Sequence, residues 1–201
     1  MKQRARVAVL ALSSALSFAA GGPSAVERHS PAAGPAFLGP AAAPNVLQVY
    51  FDYQCPVCPR AARELERLAA EMAGALRIEL RHYPLAMHAR AFDAAAAAAA
   101  AQRQGRFWDY HARLLEERRF DRDSLAGLAA GLGLDRDRFV RDFDDAGVRA
   151  AILADVKAAQ EAGVTGTPGF VINGRAETGW ASYSWLLQIV KGRIKTPPAP
   201  P

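Results

Sequence analysis

The chain has 201 residues, 51% hydrophobic and 22% charged, with a formal net charge of +5. That balance excludes an intrinsically disordered polymer, and the length suits one domain with a real core. Lys2, Arg4 and Arg6 supply three of the positive charges, and the +2 left without them is too little for a nucleic-acid surface.

The basic residues of 2–6 precede a short apolar stretch, Val7 to Ala20, softened by Ser13, Ser14 and Ser17. This is the pattern of a secretory signal peptide over residues 1–20, with small residues at Ser17 and Ala19 suited to cleavage. The stretch is shorter than the roughly 20 apolar residues of a membrane span, with an uncleaved anchor as the alternative. No cysteine follows it, which excludes a lipoprotein anchor. Residues 21–44 are rich in Pro, Ala, Gly and Ser without a sustained period, and read as a linker or loose arm.

A domain is expected over residues 45–192. Val46 to Tyr53 is an apolar, β-branched and aromatic run suited to a buried strand. Ala61, Leu65, Leu68 and Met72 then recur at helical spacing, and Gly74 is a stop. Leu76, Ile78 and Leu80 alternate with Arg77, Glu79 and Arg81, the signature of a half-buried strand. Pro84 ends it. An all-helical block is expected over about 86–150. It opens with the alanine-rich Ala89 to Gln104 and its Gly105 cap, and runs on through Phe107 to Glu117, Ser124 to Ala130 and Arg136 to Asp145. Val148 to Ala162 is a last helix before Gly163. Gly169 to Asn173 reads as a strand, Asn173-Gly174 as a hairpin turn, Ala176 to Thr178 as the returning strand and Ser182 to Lys191 as a helix. Residues 193–201 form a Pro-rich tail.

Cys55 and Cys58 are the only cysteines. A structural disulfide stabilises chiefly by closing a long loop, and a bridge across two residues closes almost nothing. The spacing therefore points to exchange chemistry. Cysteine attacks as the thiolate, which is scarce at neutral pH unless a helix N-terminus or a partner stabilises it. The strand-to-helix turn puts Cys55 there, with Pro56 suited to the first helical position. The three-residue offset brings Cys58 back beneath Cys55, so that one sulfur is the more accessible of the two, as stepwise exchange through a mixed disulfide requires. No metal site is expected: half a zinc site would need two more ligands. His29 falls in the linker, His82 on a strand, and His88 and His111 in the helical block, where packing or surface roles are the ordinary ones.

A second signal is Gly163-Val164-Thr165-Gly166-Thr167-Pro168-Gly169-Phe170, where a Pro ringed by Gly and Thr before a short strand suits a tight turn with a cis bond. Together with Phe51 to Cys58, Tyr83-Pro84-Leu85, Gln104 to His111 and Asn173-Gly174, it resembles the thioredoxin superfamily, in particular its DsbA-like branch. The resemblance implies an α/β thioredoxin fold with an inserted all-helical subdomain. It implies Cys55 as the exposed, reactive sulfur and Cys58 as its resolving partner, with Pro56 and Val57 forming the active-site turn. Pro168 would be a cis-proline packed on the pair, and Thr167 would present backbone hydrogen bonds to an extended client. No cofactor beyond the redox-active disulfide is implied. The implied partners are reduced or unfolded exported proteins and a membrane quinone-linked protein, in the periplasm or elsewhere outside the cytoplasm.

Three features depart from the family pattern. Val57 cannot stabilise a thiolate by charge or side-chain hydrogen bond, Val49 stands where many relatives carry a buried acid (for which Asp52 is a possible substitute), and Pro59 follows Cys58. A dithiol oxidase is the leading expectation. A reductase or isomerase, and a non-catalytic binding or chaperone module with a structural disulfide, are the alternatives.

Overall fold

The computed structural model describes residues 26–177 and 182–194; the expected signal peptide lies outside them, as does the expected tail beyond Ile194, while Arg193, placed in that tail, ends the last helix. Strand β3 (Asn45–Phe51) runs through the turn carrying the cysteines into α1 (Cys58–Glu71), which returns to β4 (Leu76–His82). β3 and β4 pair in parallel, the unit expected from the sequence. Five helices follow: α2 (Ala91–Arg103), α3 (Phe107–Leu114), α4 (Arg122–Gly131), α5 (Arg136–Asp144) and α6 (Ala146–Glu161). β5 (Gly169–Ile172) and β6 (Arg175–Glu177) form the expected hairpin, and α7 (Tyr183–Arg193) closes the domain. Asn173 and Gly174 both take positive φ, as a tight two-residue hairpin turn requires. Thr178, expected at the end of the returning strand, lies outside the described residues.

Residues 26–44 are not a linker throughout. Arg28–His29 (β1) and Ala36–Leu38 (β2) extend the sheet, giving the order β1-β2-β4-β3-β5-β6. β2 lies antiparallel on β4, with Ala36 and Leu38 buried. Segments this short carry no readable period; β2 is a strand because the free edge of β4 supplies its backbone partners, and β1 because β2 in turn supplies its own.

The sheet is covered on both faces. Leu47, Val49 and Phe51 of β3 and Phe170 and Ile172 of β5 share one apolar cluster with Leu65 and Leu68 of α1 and Leu186 and Val190 of α7. Tyr50 and Val171 point the other way, onto Ala159 of α6. This is why the outward residues of β4 are less exposed than their alternation suggests. Glu79 is buried and ion-paired to Arg77 and Arg81, and Arg81 also reaches Asp155 of α6. The alanine run of α2 sits at the centre of the helical block, where its small side chains are buried on nearly every side.

Candidate redox site

Phe51 ends β3, and the next six residues turn the chain into α1. The helix begins at Cys58, with Val57 at its N-cap and Pro59 in its first turn. Pro56 therefore precedes the helix instead of opening it; Pro59 takes the place where a missing N–H is harmless. Cys55 lies just outside the helix, and its carbonyl accepts the Cys58 N–H at 3.2 Å.

Both cysteines are free thiols. Cys55 is the more accessible, yet only 5% exposed against 0% for Cys58, so it is less open than the family resemblance implies. The loop of residues 163–169 covers it. The Thr167–Pro168 peptide is cis, and the Cys55 thiol donates to the Thr167 carbonyl at 3.2 Å. Residues 55–58 and 167–168, far apart in the sequence, are thus one site, and Val57 packs part-buried against the core beside them. A groove of about 200 Å³ runs along Gly163–Phe170 and is closed by Ala176 and Glu177. A larger cavity of about 460 Å³, between α1 and α3, contains neither cysteine.

The electrostatics of the two sulfurs diverge. The hydrogen bond from the Cys58 thiol does most to lower the Cys55 thiol; burial opposes it, while the backbone N–H groups of Val57 and Cys58 assist, and the result is a pKa of about 5. Burial above all, then the bond to Cys55, pushes the Cys58 thiol far up. At neutral pH the reduced pair is one thiolate and one thiol.

Beneath the pair lies a polar cluster that periodicity did not reveal. The buried Asp52 carboxylate accepts from the N–H groups of Gln54 (2.7 Å) and Leu85 (2.8 Å) and meets His88 Nδ1 at 2.7 Å. His88 belongs to the loop before α2, not to a helix. The Tyr53 hydroxyl meets His111 Nδ1 of α3 at 2.8 Å. The family resemblance singles out Asp52 as a substitute for a buried acid; for Tyr53 the sequence signal was a polar residue at the end of a hydrophobic stretch next to the cysteines. Among the described residues no group of three or more His, Cys, Asp or Glu is placed to hold a metal.

A thioredoxin family profile matches residues 32–191. The chain belongs to the thioredoxin family. With its helical block inserted after β4, it has the DsbA-like form of the fold and the architecture of thiol–disulfide oxidoreductases. The structure resembles a thioredoxin-like oxidoreductase from Silicibacter pomeroyi DSS-3 with a TM-score of 0.71 and 29% identity, covering 81% of this chain and 92% of that one. DsbA2 of Pseudomonas aeruginosa matches with a TM-score of 0.65 and 25% identity, covering 83% of this chain and 94% of that one. BdbD of Bacillus subtilis, at 19% identity, shares the fold with a TM-score of 0.69 over 84% of this chain and 97% of its own. Among curated proteins, the Na(+)/H(+) antiporter NhaA 1 of Salinispora arenicola is 38% identical over 143 residues, which are 70% of this chain and 22% of that protein. The chain spans about a fifth to a quarter of the length of the curated relatives it matches.

Proposed function

We propose that this thioredoxin-family chain is an extracytoplasmic thiol:disulfide oxidoreductase that introduces disulfides into exported proteins, with Cys55 and Cys58 as its redox pair. The observation that carries the reading is the split between the two sulfurs, a Cys55 thiol lowered to about 5 beside a Cys58 thiol pushed far up. A stabilised thiolate favours the reduced dithiol and so makes the disulfide a stronger oxidant.

In the forward reaction a client thiolate attacks Cys55 Sγ of the Cys55–Cys58 disulfide. Cys58 leaves and takes up a proton, as its burial demands. A second client thiolate then attacks the client sulfur of the mixed disulfide and releases Cys55 as a thiolate. Two electrons pass from the client to the enzyme, and the client gains one disulfide. The groove along the Thr167–Pro168 loop suits an extended client segment, held by backbone hydrogen bonds that read little sequence. The enzyme needs no cofactor beyond its own two sulfurs, and a membrane quinone-linked protein is the reoxidising partner. The basic and apolar pattern of residues 1–20 supports work outside the cytoplasm, and no described helix is long and apolar enough to cross a membrane.

Equilibration of the pair with a glutathione redox buffer tests the direction. A potential between about −120 and −200 mV is expected; one near about −270 mV or below would sink the oxidase reading.

A further inference from the structure

The turn that carries the cysteines is gripped by residues that the exchange steps do not use. The Asp52 side chain is 0% exposed. Its carboxylate accepts from the Gln54 and Leu85 N–H groups and pairs with His88 Nδ1 at 2.7 Å. The Asp52 backbone touches both sulfur-bearing residues: its carbonyl accepts the Cys55 N–H at 3.2 Å, and its backbone hydrogen bond favours the Cys58 thiolate. A second tie is made by Gln54 Oε1, which accepts the Arg90 N–H at 2.6 Å. The loop from Tyr83 to Arg90 thus holds residues 52–54 from the side, and Tyr83 adds its N–H to the Phe51 carbonyl.

Two of the three Asp52 partners are backbone groups that any sequence would supply. His88 is the side-chain partner, and it is 19% exposed at the surface end of the pair. A buried carboxylate deprived of a donor keeps its full desolvation cost and seeks a new partner. Without His88 the turn loosens. A looser turn weakens the hydrogen bonds from Cys58 and from the Val57 and Cys58 backbone that favour the Cys55 thiolate.

We propose that His88 is a positioning residue of the redox site, acting through Asp52 to hold the turn that carries both cysteines and so to set their thiol–disulfide equilibrium. The inference rests on the redox reading of the pair but not on the direction of the reaction. The experiment is glutathione equilibration of the full chain, with the pH profile of Cys55 alkylation as a second readout. His88→Ala and His88→Gln should shift the equilibrium toward the disulfide by roughly threefold or more and raise the alkylation midpoint. His88→Asn, whose amide can place a donor near the position of Nδ1, should recover most of the shift. In an Asp52→Asn background His88→Ala should add nothing further, because its route runs through Asp52. Unchanged readouts in both His88→Ala and His88→Gln, or an equal shift with Asp52→Asn present, would overturn the proposal. A wild-type potential near that of thioredoxin would instead count only against the oxidase direction. Far-ultraviolet circular dichroism identifies any variant that fails to fold, and the remaining His88 variant then carries the comparison.

Discussion

The Tyr53 hydroxyl and His111 Nδ1 meet at 2.8 Å in the interior, joining the residue two before the first cysteine to helix α3 of the inserted block. Burial, with a smaller push from His82, lowers His111 to about 3, so its ring is neutral at ordinary pH. A neutral ring can leave Nδ1 as an acceptor, and the Tyr53 O–H fills it. Phe51 and Phe107 pack against the same imidazole. Tyr53→Phe should therefore leave a buried acceptor empty and cost roughly 1–3 kcal/mol in denaturant unfolding.

The same histidine sets a pH dependence. Its folded pKa lies below its unfolded value near 6.5, so the unfolded state binds more protons between about 3 and 6.5. Its contribution is complete above about 6.5 and is lost as pH falls toward 3. His111→Phe should lack this loss. The stability difference between wild type and His111→Phe, followed by unfolding from pH 7 down to 4.5, should shrink by up to about 1.4 kcal/mol per pH unit. A difference that stays constant over that range would show that the ring is not held neutral.

Cys55 reactivity offers a second pH test. In the reduced protein its alkylation by iodoacetamide should rise with a midpoint of about 5 and level off above it. The Cys58 thiol is the largest source of that lowering, so Cys58→Ala should move the midpoint well up toward the value of an ordinary thiol, near 8.5. Cys58→Ser keeps a hydroxyl donor and should move it less. An unmoved midpoint in Cys58→Ala would assign the lowering to the backbone N–H groups of the helix start.

Glu79 joins Arg77 and Arg81 on β4, while Gln48 of β3 donates to it at 3.4 Å. Glu79→Ala leaves two arginines against a covered sheet face with fewer partners, Arg81 keeping only Asp155. Breaking a largely buried pair in this way should cost roughly 2–4 kcal/mol in thermal or denaturant unfolding. The glutathione equilibrium should hold, because Glu79 has no contact with the cysteine turn.

Gly39 tests the edge built from residues 26–44. Its φ is +85°, and a Cβ there would lie 2.3 Å from the Leu76 carbonyl oxygen, a backbone atom with little room to move. Its N–H also bonds to the Glu27 carbonyl at 2.9 Å. Gly39→Ala should cost roughly 1–3 kcal/mol, and hydrogen exchange should speed up first in the amides between β1, β2 and β4. Unchanged exchange there would mean that the edge strands are held by something other than this turn.

Much of the fold was legible in particular residues. Val46 to Tyr53 and the Leu76, Ile78, Leu80 alternation located β3 and β4 because a pleated strand repeats every two residues. Ala61, Leu65 and Leu68 located α1 because a helix repeats near 3.6. Cys55-Pro56-Val57-Cys58 pointed to exchange chemistry, since so short a loop leaves a disulfide little structural use. Asn173-Gly174 marked its turn through the positive φ that these residues tolerate.

What the tertiary structure alone decided lies in contacts between distant segments. Local periodicity carries no information about what lies across the sheet, so Ala36–Leu38 became a strand only where β4 offered an edge, and Arg28–His29 only where Ala36–Leu38 offered the next. The outward side of β4 was covered because α6 brought Asp155 to Arg81. The start of α1 moved to Cys58, and the cover over Cys55 came from Thr167, 112 residues away. His88 and His111 looked like ordinary histidines until folding removed water and left Asp52 and Tyr53 as their partners. The sequence by itself determined which residues could carry redox chemistry, through spacing and residue type. Burial and hydrogen bonding, which exist only once the chain has folded, decided the ionisation of the two sulfurs.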